Sequence, residues 1–306
     1  MYTELHARSA FSFLEGASLP ENLVRTAAML DLPGIALLDR DGIYGAPRFY
    51  LEAKKLGIRA YIGAEVTVES FKLQSAYSVR YPLLVKYREG YKNLCRLITR
   101  YQLKSNKKGM GQATSIDLQD YASGLICLTG GEGGPLDAAL NYGGYEAGKK
   151  EVEKLCFIYG TKNVYIELQR HSNREEEFKN QAAIKIAKSF NIPLLATNGV
   201  RYASPQEREI LDVFTCVKNH CQLETSQKLL ENNSERHLRS HKEMVQLFSD
   251  LPSALSNTKE LSSRLEFNLS DLGYEFPKYP VPPGESMMSF LCQRTREGFN
   301  LSLIHI

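Results

Sequence analysis

The residues of this chain whose types and spacing could do chemistry begin close to its start. Glu4-Leu5-His6-Ala7-Arg8-Ser9 reads as a short strand, and strand side chains alternate between faces, so His6 and Arg8 project from one side. A polar and aromatic loop follows, Phe11-Ser12-Phe13-Leu14-Glu15-Gly16-Ala17-Ser18, from which Glu15 can fold back toward them. A histidine and a returning carboxylate at the end of a strand are the layout of a metal cup. Arginine at position 8 breaks that layout, because a guanidinium has five donors, no acceptor and a permanent positive charge.

The rest of the chain must position these groups. Gly34-Ile35-Ala36-Leu37-Leu38-Asp39 is a continuous apolar run ending in an acid, as a buried parallel strand would. Tyr61 to Val68 is a further strand with Glu65 partway along it, and more strands are expected at Tyr81–Tyr87, Gly124–Leu128, Val164–Leu168 and Ile192–Thr197. Helical spacing fills Glu21–Leu30, Gly45–Leu56, Tyr91–Gln102, Tyr145–Phe157 and Glu175–Phe190. Strands separated by helices argue a parallel sheet, and this many repeats favour closure into a barrel. Chemistry in such barrels gathers at the C-terminal ends of the strands, where Asp39, Arg40, Asn198 and Arg201 fall.

From Ser204 the pattern turns helical, at Glu207–Lys218, Lys242–Phe248 and Pro252–Leu265. Leu272 to Glu285, rich in proline and tyrosine, reads as a stiff extended connector, and Ser286 starts a new helix. The expected organisation is a barrel core over 1–203, a helical part over 204–270, a connector over 271–285 and the start of another region over 286–306.

Bulk properties narrow the classes. The 306 residues are 43% hydrophobic and 24% charged, ordinary for a soluble globular protein. A net charge of +3 is too small to argue nucleic-acid binding by itself. No apolar run approaches a membrane span of about 20 residues, and the N-terminus lacks a signal-peptide pattern. Six cysteines, mostly inside apolar runs, suit small buried thiols in a reduced, cytoplasmic protein. Cys216-x4-Cys221 followed by His237-x3-His241 echoes zinc spacing. Its central gap is long, however, and Cys216 lies on an apolar helical face, so a packed thiol is the better account. Gly130 to Gly134 lacks the Lys-Ser/Thr of a phosphate loop and reads as a turn. The basic stretch Lys104 to Gly111 reads as a solvated loop, and His171 as a hydrogen-bonded loop histidine.

Several stretches together resemble one family. They are Phe11 to Ser18, Gly63-Ala64-Glu65, Glu89 to Thr99, Glu167-Leu168-Gln169-Arg170-His171, Leu195 to Tyr202, and the connector from Asp271 through Pro283-Gly284-Glu285. From Tyr2 to about Gly298 the chain resembles the N-terminal polymerase-and-histidinol-phosphatase (PHP) domain of bacterial error-prone DNA polymerases, relatives of the polymerase III α-subunit. The resemblance implies a PHP-type distorted parallel β/α barrel with trailing helices. Leu301 to Ile306 do not resemble the family, and the abrupt stop suggests a truncated fragment whose 286–306 opens the polymerase region.

Metal-bearing PHP domains hold their cluster with a His-x-His pair, a loop acid, an Asp-His pair, the glutamate after Gly-x and a closing Asp-x-His. By that resemblance this chain keeps His6, Glu15, Asp39 and Glu65, has Arg8 and Arg40 in place of histidines, and brings Gly199 and Arg201 to the closing pair. The expectation is a vestigial cup with no metal, cofactor or catalytic residue. An arginine–carboxylate network, Arg8 and Arg40 with Glu15 or Glu65, would take over the metals' structural role. The resemblance further implies DNA as partner through a polymerase region, a sliding clamp and accessory mutagenesis proteins as further partners, and magnesium only in a palm domain absent here. A metal-dependent PHP phosphoesterase or proofreading exonuclease is the competing function, and a free-standing binder of phosphate-bearing ligands a third. No membrane association is expected.

Overall fold

The computed structural model describes residues 1–69, 79–107, 109–226, 229–273 and 279–303. Lys108 in the basic loop, 274–278 in the expected connector and 304–306 at the C-terminus therefore lie outside the described residues. The strands are β1 (Glu4–Ala7), β2 (Gly34–Arg40), β3 (Arg59–Val68), β4 (Val79–Val85), β5 (Leu125–Leu128), β6 (Val164–Leu168) and β7 (Leu194–Ala196). The first helices are α1 (Pro20–Met29), α2 (Ala46–Leu56), α3 (Arg88–Lys104), α4 (Ser115–Asp120) and α5 (Pro135–Tyr159). They are followed by α6 (Arg174–Phe190), α7 (Arg208–Asn219), α8 (His241–Leu247), α9 (Pro252–Arg264) and α10 (Met287–Leu303).

Local sequence explains the main boundaries. Pro20 opens α1 with Glu21 in its first turn, where a missing N–H costs nothing and an acid faces the positive helix end. Three glutamates follow the Asn173 cap of α6, and Asn191 closes that helix in the left-handed conformation at φ 52°. α5 begins ten residues before the expected Tyr145, because Pro135 starts a helix that Gly144 interrupts at φ 63° and ψ −157°. Only the part beyond the break has a clear helical period.

The strands hydrogen-bond in chain order from β1 to β7. The α/β architecture is as expected, but its curled sheet is mixed and not all parallel. β4 runs antiparallel to both β3 and β5, while the other neighbours are parallel. A parallel neighbour needs a crossover of a dozen or more residues to carry the chain back, and only ten separate Val68 of β3 from Val79 of β4. A parallel bridge between Ala7 and Val200, with Arg8 N–H donating to Val200 and Val200 N–H to His6, joins β1 to the segment after β7.

Inside this curled sheet, Leu5, Ala36, Leu38, Leu84, Ile126, Leu128 and Leu195 pack with Leu261 and Leu265. α9 thus contributes to the barrel core and covers the starting ends of the parallel strands. Thr258 Oγ1 accepts from Thr3 N–H, Arg59 Nη2 donates to the Leu265 carbonyl, and Asn257 Nδ2 donates to the Leu194 carbonyl. The opposite end is left for the charged groups. The chain divides into two compact units, Met1–Asp271 and Leu272–Ile306. In the second, Tyr279 stacks on Phe290 of α10 at 6.1 Å between ring centroids.

Candidate functional site

The C-terminal ends of β1, β2 and β6, the middle of β3 and the beginning of antiparallel β4 converge on a polar cup. His6 stands at its centre. Its Nδ1 lies 2.7 Å from Glu167 Oε1 and its Nε2 lies 2.7 Å from Glu65 Oε1. A carboxylate at each nitrogen favours the imidazolium, the form in which both nitrogens donate. Burial opposes that charge, but Glu167 and Glu65 outweigh it and raise the His6 pKa to about 10. An imidazolium has no lone pair for a cation.

Arg8 completes this inner group. Its Nη2 donates to the same Glu65 oxygen at 2.6 Å, and both side chains are almost wholly buried. Burial would raise the Glu65 carboxyl, yet Arg8 and His6 hold it far below the usual carboxylate range. Glu167 is likewise held low, against burial, by His6, and it also accepts from Gln169 Nε2 at 2.7 Å and from the Thr197 hydroxyl.

A second group lies at the lip. Glu15 accepts from Arg40 Nη1 at 2.8 Å, from both terminal nitrogens of Arg80, and from Lys218 Nζ at 2.6 Å. Despite burial, Arg80, Lys218 and Arg40 lower its pKa to about 2. Among the described residues, Asp39 has no cation as a hydrogen-bond partner. It accepts from Ser9 N–H at 2.8 Å and from the hydroxyls of Ser9 and Ser12, and burial raises its pKa.

The closing positions lie apart from these groups. Arg201 pairs with Glu231 and, at 3.5 Å, with Glu132, not with Glu15 or Glu65. Burial and the neighbouring Arg236 lower its pKa to about 10. Arg236 Nη2 reaches Glu132 at 2.9 Å. Gly199 has φ 52°, and a Cβ there would stand 2.5 Å from Gln169 Oε1; at Gly131 the same contact would be 2.2 Å. Gln169 therefore occupies the room that side chains at either glycine would need. Beside it opens a polar cavity of about 500 Å³ lined by Glu132, Gln169, His171, Arg201 and Arg236.

With this geometry in view, relatives can be compared. The model of the PHP domain matches residues 4–171. The chain belongs to the PHP-domain family. Among curated proteins, this PHP chain is 36% identical over 301 residues to an error-prone DNA polymerase of Mycolicibacterium paratuberculosis, covering 97% of this chain and 28% of that protein. It is 30% identical over 292 residues to the DNA polymerase III subunit alpha of Borreliella burgdorferi, covering 92% of this chain and 25% of that protein. The PHP chain thus spans about a quarter of the length of these relatives. Among solved structures, an amidohydrolase from Chromobacterium violaceum aligns over 66% of this chain and 88% of its own, at 12% identity and a TM-score of 0.45, too loose a likeness to carry an argument.

Sequence reasoning missed Arg80, Glu167, Lys218, Gln169 and Arg236. Arg80 was hidden by the assumed strand direction, because a parallel β4 would carry it to the far end of the barrel. Glu167, by contrast, was accessible: it is an acid in the apolar run Val164–Leu168, the same signal that singled out Glu65. The zinc-like cysteines and histidines do not meet. Cys216 is buried on α7, His237 Nδ1 donates to the Ser234 carbonyl at 2.8 Å, and among the described residues no group of three or more His, Cys, Asp or Glu could hold a metal ion.

Proposed function

We propose that this chain is the PHP module of an error-prone DNA polymerase and serves it as a structural and docking domain, its cup held by ion pairs instead of metals. The observation that carries the metal-free reading is the position of His6, whose two ring nitrogens each lie 2.7 Å from a carboxylate oxygen, one of Glu65 and one of Glu167. Of the remaining donors, Glu65 Oε2 and Glu167 Oε2 are buried without a hydrogen-bond partner among the described residues, but they stand beside groups already committed to cations or filled space. Glu65 Oε1 is already shared by His6 and Arg8, Glu15 is ringed by Arg40, Arg80 and Lys218, and Gln169 fills the space at Gly131 and Gly199. Any ion entering would meet fixed positive charge. The named relatives support the polymerase assignment. In this reading nucleotidyl transfer, its magnesium, DNA, clamp and accessory partners belong to the rest of the polymerase, and the protein works in the cytoplasm.

A metal-dependent phosphoesterase or exonuclease needs the open ligands that the arginines and Gln169 occupy. The test is elemental analysis of the purified chain, paired with phosphate-release, exonuclease and primer-extension assays in added zinc, manganese or magnesium. Substoichiometric metal and no activity in any assay are expected. Stoichiometric zinc or manganese with phosphate release would replace this reading by the phosphoesterase one.

A further inference from the structure

At the end of α7, on either side of Lys218, two cysteines are held together by the backbone. His220 adopts the left-handed conformation at φ 52°. Its N–H reaches the Val217 carbonyl at 3.3 Å, and the Cys221 N–H reaches the Cys216 carbonyl at 3.1 Å. These two bonds define the Schellman ending of a helix, in which the side chains at the positions of Cys216 and Cys221 meet. A direct N–H···O=C bond between the two residues also fits the Cα separation of about 4.4–6.8 Å that a disulfide requires. The side chains agree with the backbone. Cys221 Sγ lies 3.7 Å from the Cys216 carbonyl oxygen, and the Ser226 hydroxyl lies 3.0 Å from that sulfur. Both cysteines line one open hollow of about 520 Å³, with Val213, Val217, His220 and Leu223 around them.

We propose that Cys216 and Cys221 are a reversible dithiol–disulfide site, closed by low-molecular-weight disulfides of the glutathione class. Cys221, the more exposed thiol, loses its proton and attacks one sulfur of the small disulfide. A protein–small-molecule disulfide forms and one small thiolate leaves. Cys216 then loses its proton and attacks the Cys221 sulfur, releasing the second small thiolate. Two protein thiols are oxidised to one disulfide while one small disulfide is reduced to two thiols, the two protons going to the thiolates. Lys218 lies inside the resulting ring, so oxidation stiffens the segment that delivers its ammonium to Glu15.

Trypsin offers a direct readout, because it cleaves after Lys218 and places the two cysteines on different peptides. The chain is equilibrated in buffers of reduced and oxidised glutathione, acid-quenched, digested and analysed by mass spectrometry. The expected product joins Glu209–Lys218 to Asn219–Lys228 and separates again on adding excess dithiol. Its yield should fall with the square of reduced glutathione, whereas a simple adduct at exposed Cys292 falls with the first power. Separate glutathione adducts on Cys216 and Cys221 overturn the proposal. Two free thiols in buffers that modify Cys292 overturn it as well.

Discussion

Replacing Arg8 by alanine separates a charge-paired cup from a merely charged one. The substitution removes the Nη2 donor 2.6 Å from Glu65 Oε1, where the arginine and glutamate side chains are 10% and 2% exposed. Breaking a buried pair from one side costs about 3–5 kcal/mol, because the remaining charge stays desolvated. His6 Nε2 still donates to the same oxygen, which places the expected loss near the lower end, about 3 kcal/mol. Arg40→Ala is the internal comparison. Arg40 is 29% exposed, and Glu15 keeps Arg80 and Lys218 without it, so its loss should cost about 1 kcal/mol or less. In a unit this large, each kcal/mol lowers the melting temperature by about 2–4 °C. Arg8→Ala should therefore melt about 6–12 °C below the wild type, and Arg40→Ala within about 4 °C of it. Urea titration near neutral pH, with thermal melts alongside, measures both. Equal losses for the two variants, or an Arg8→Ala protein within about 0.5 kcal/mol of wild type, would refute the pairing.

Four further outcomes are expected. Glu15, lowered from 4.5 to about 2, contributes stability above its unfolded value that is lost as pH falls from about 4.5 to 2. His6, raised from 6.5 to about 10, contributes stability complete below 6.5 and lost as pH rises toward 10; His6→Gln should flatten that alkaline limb in pH-dependent urea titrations, and an unchanged limb would argue against the imidazolium. Gly199→Ala should cost about 1–3 kcal/mol from its positive φ and its contact with Gln169, measured by the same titrations, and a neutral result would show that Gln169 yields freely. Limited proteolysis should cut first between Tyr279 and Ser286 and leave a stable core over the barrel and its trailing helices, whereas first cleavage between Gly34 and Glu65 would contradict that organisation.

What could be read from sequence depended on how local its cause was. The apolar run of β2, the proline start of α1 and the alternation that places His6 with Arg8 are all set within a few residues. The partners of Arg8 and Arg40 were also within reach, since each acid occupied a position that the strand or loop pattern made inward-facing. Strand direction was not local. It depended on the length of the link between β3 and β4, because the ten residues separating Val68 from Val79 fall short of the dozen or more that a parallel crossover needs, and reading that length would have brought Arg80 to Glu15. Lys218 approaches Glu15 from α7, and Arg236 approaches Glu132 from the segment before α8, far along the chain from these acids, and no periodicity encodes such a distance. Gln169 was quoted in a matching stretch, but its role emerges only from the backbones of Gly131 and Gly199 closing on either side.

The protonation of the His6 ring tests the central claim most directly. Nitrogen-15 NMR of the histidine-labelled chain, in mildly alkaline buffer where a free imidazole is neutral, reads each ring nitrogen separately. The account predicts that both His6 nitrogens carry protons there and stay so until the pH approaches about 10. A neutral ring with one bare nitrogen, or a nitrogen shifted by bound metal when zinc is added, would contradict it.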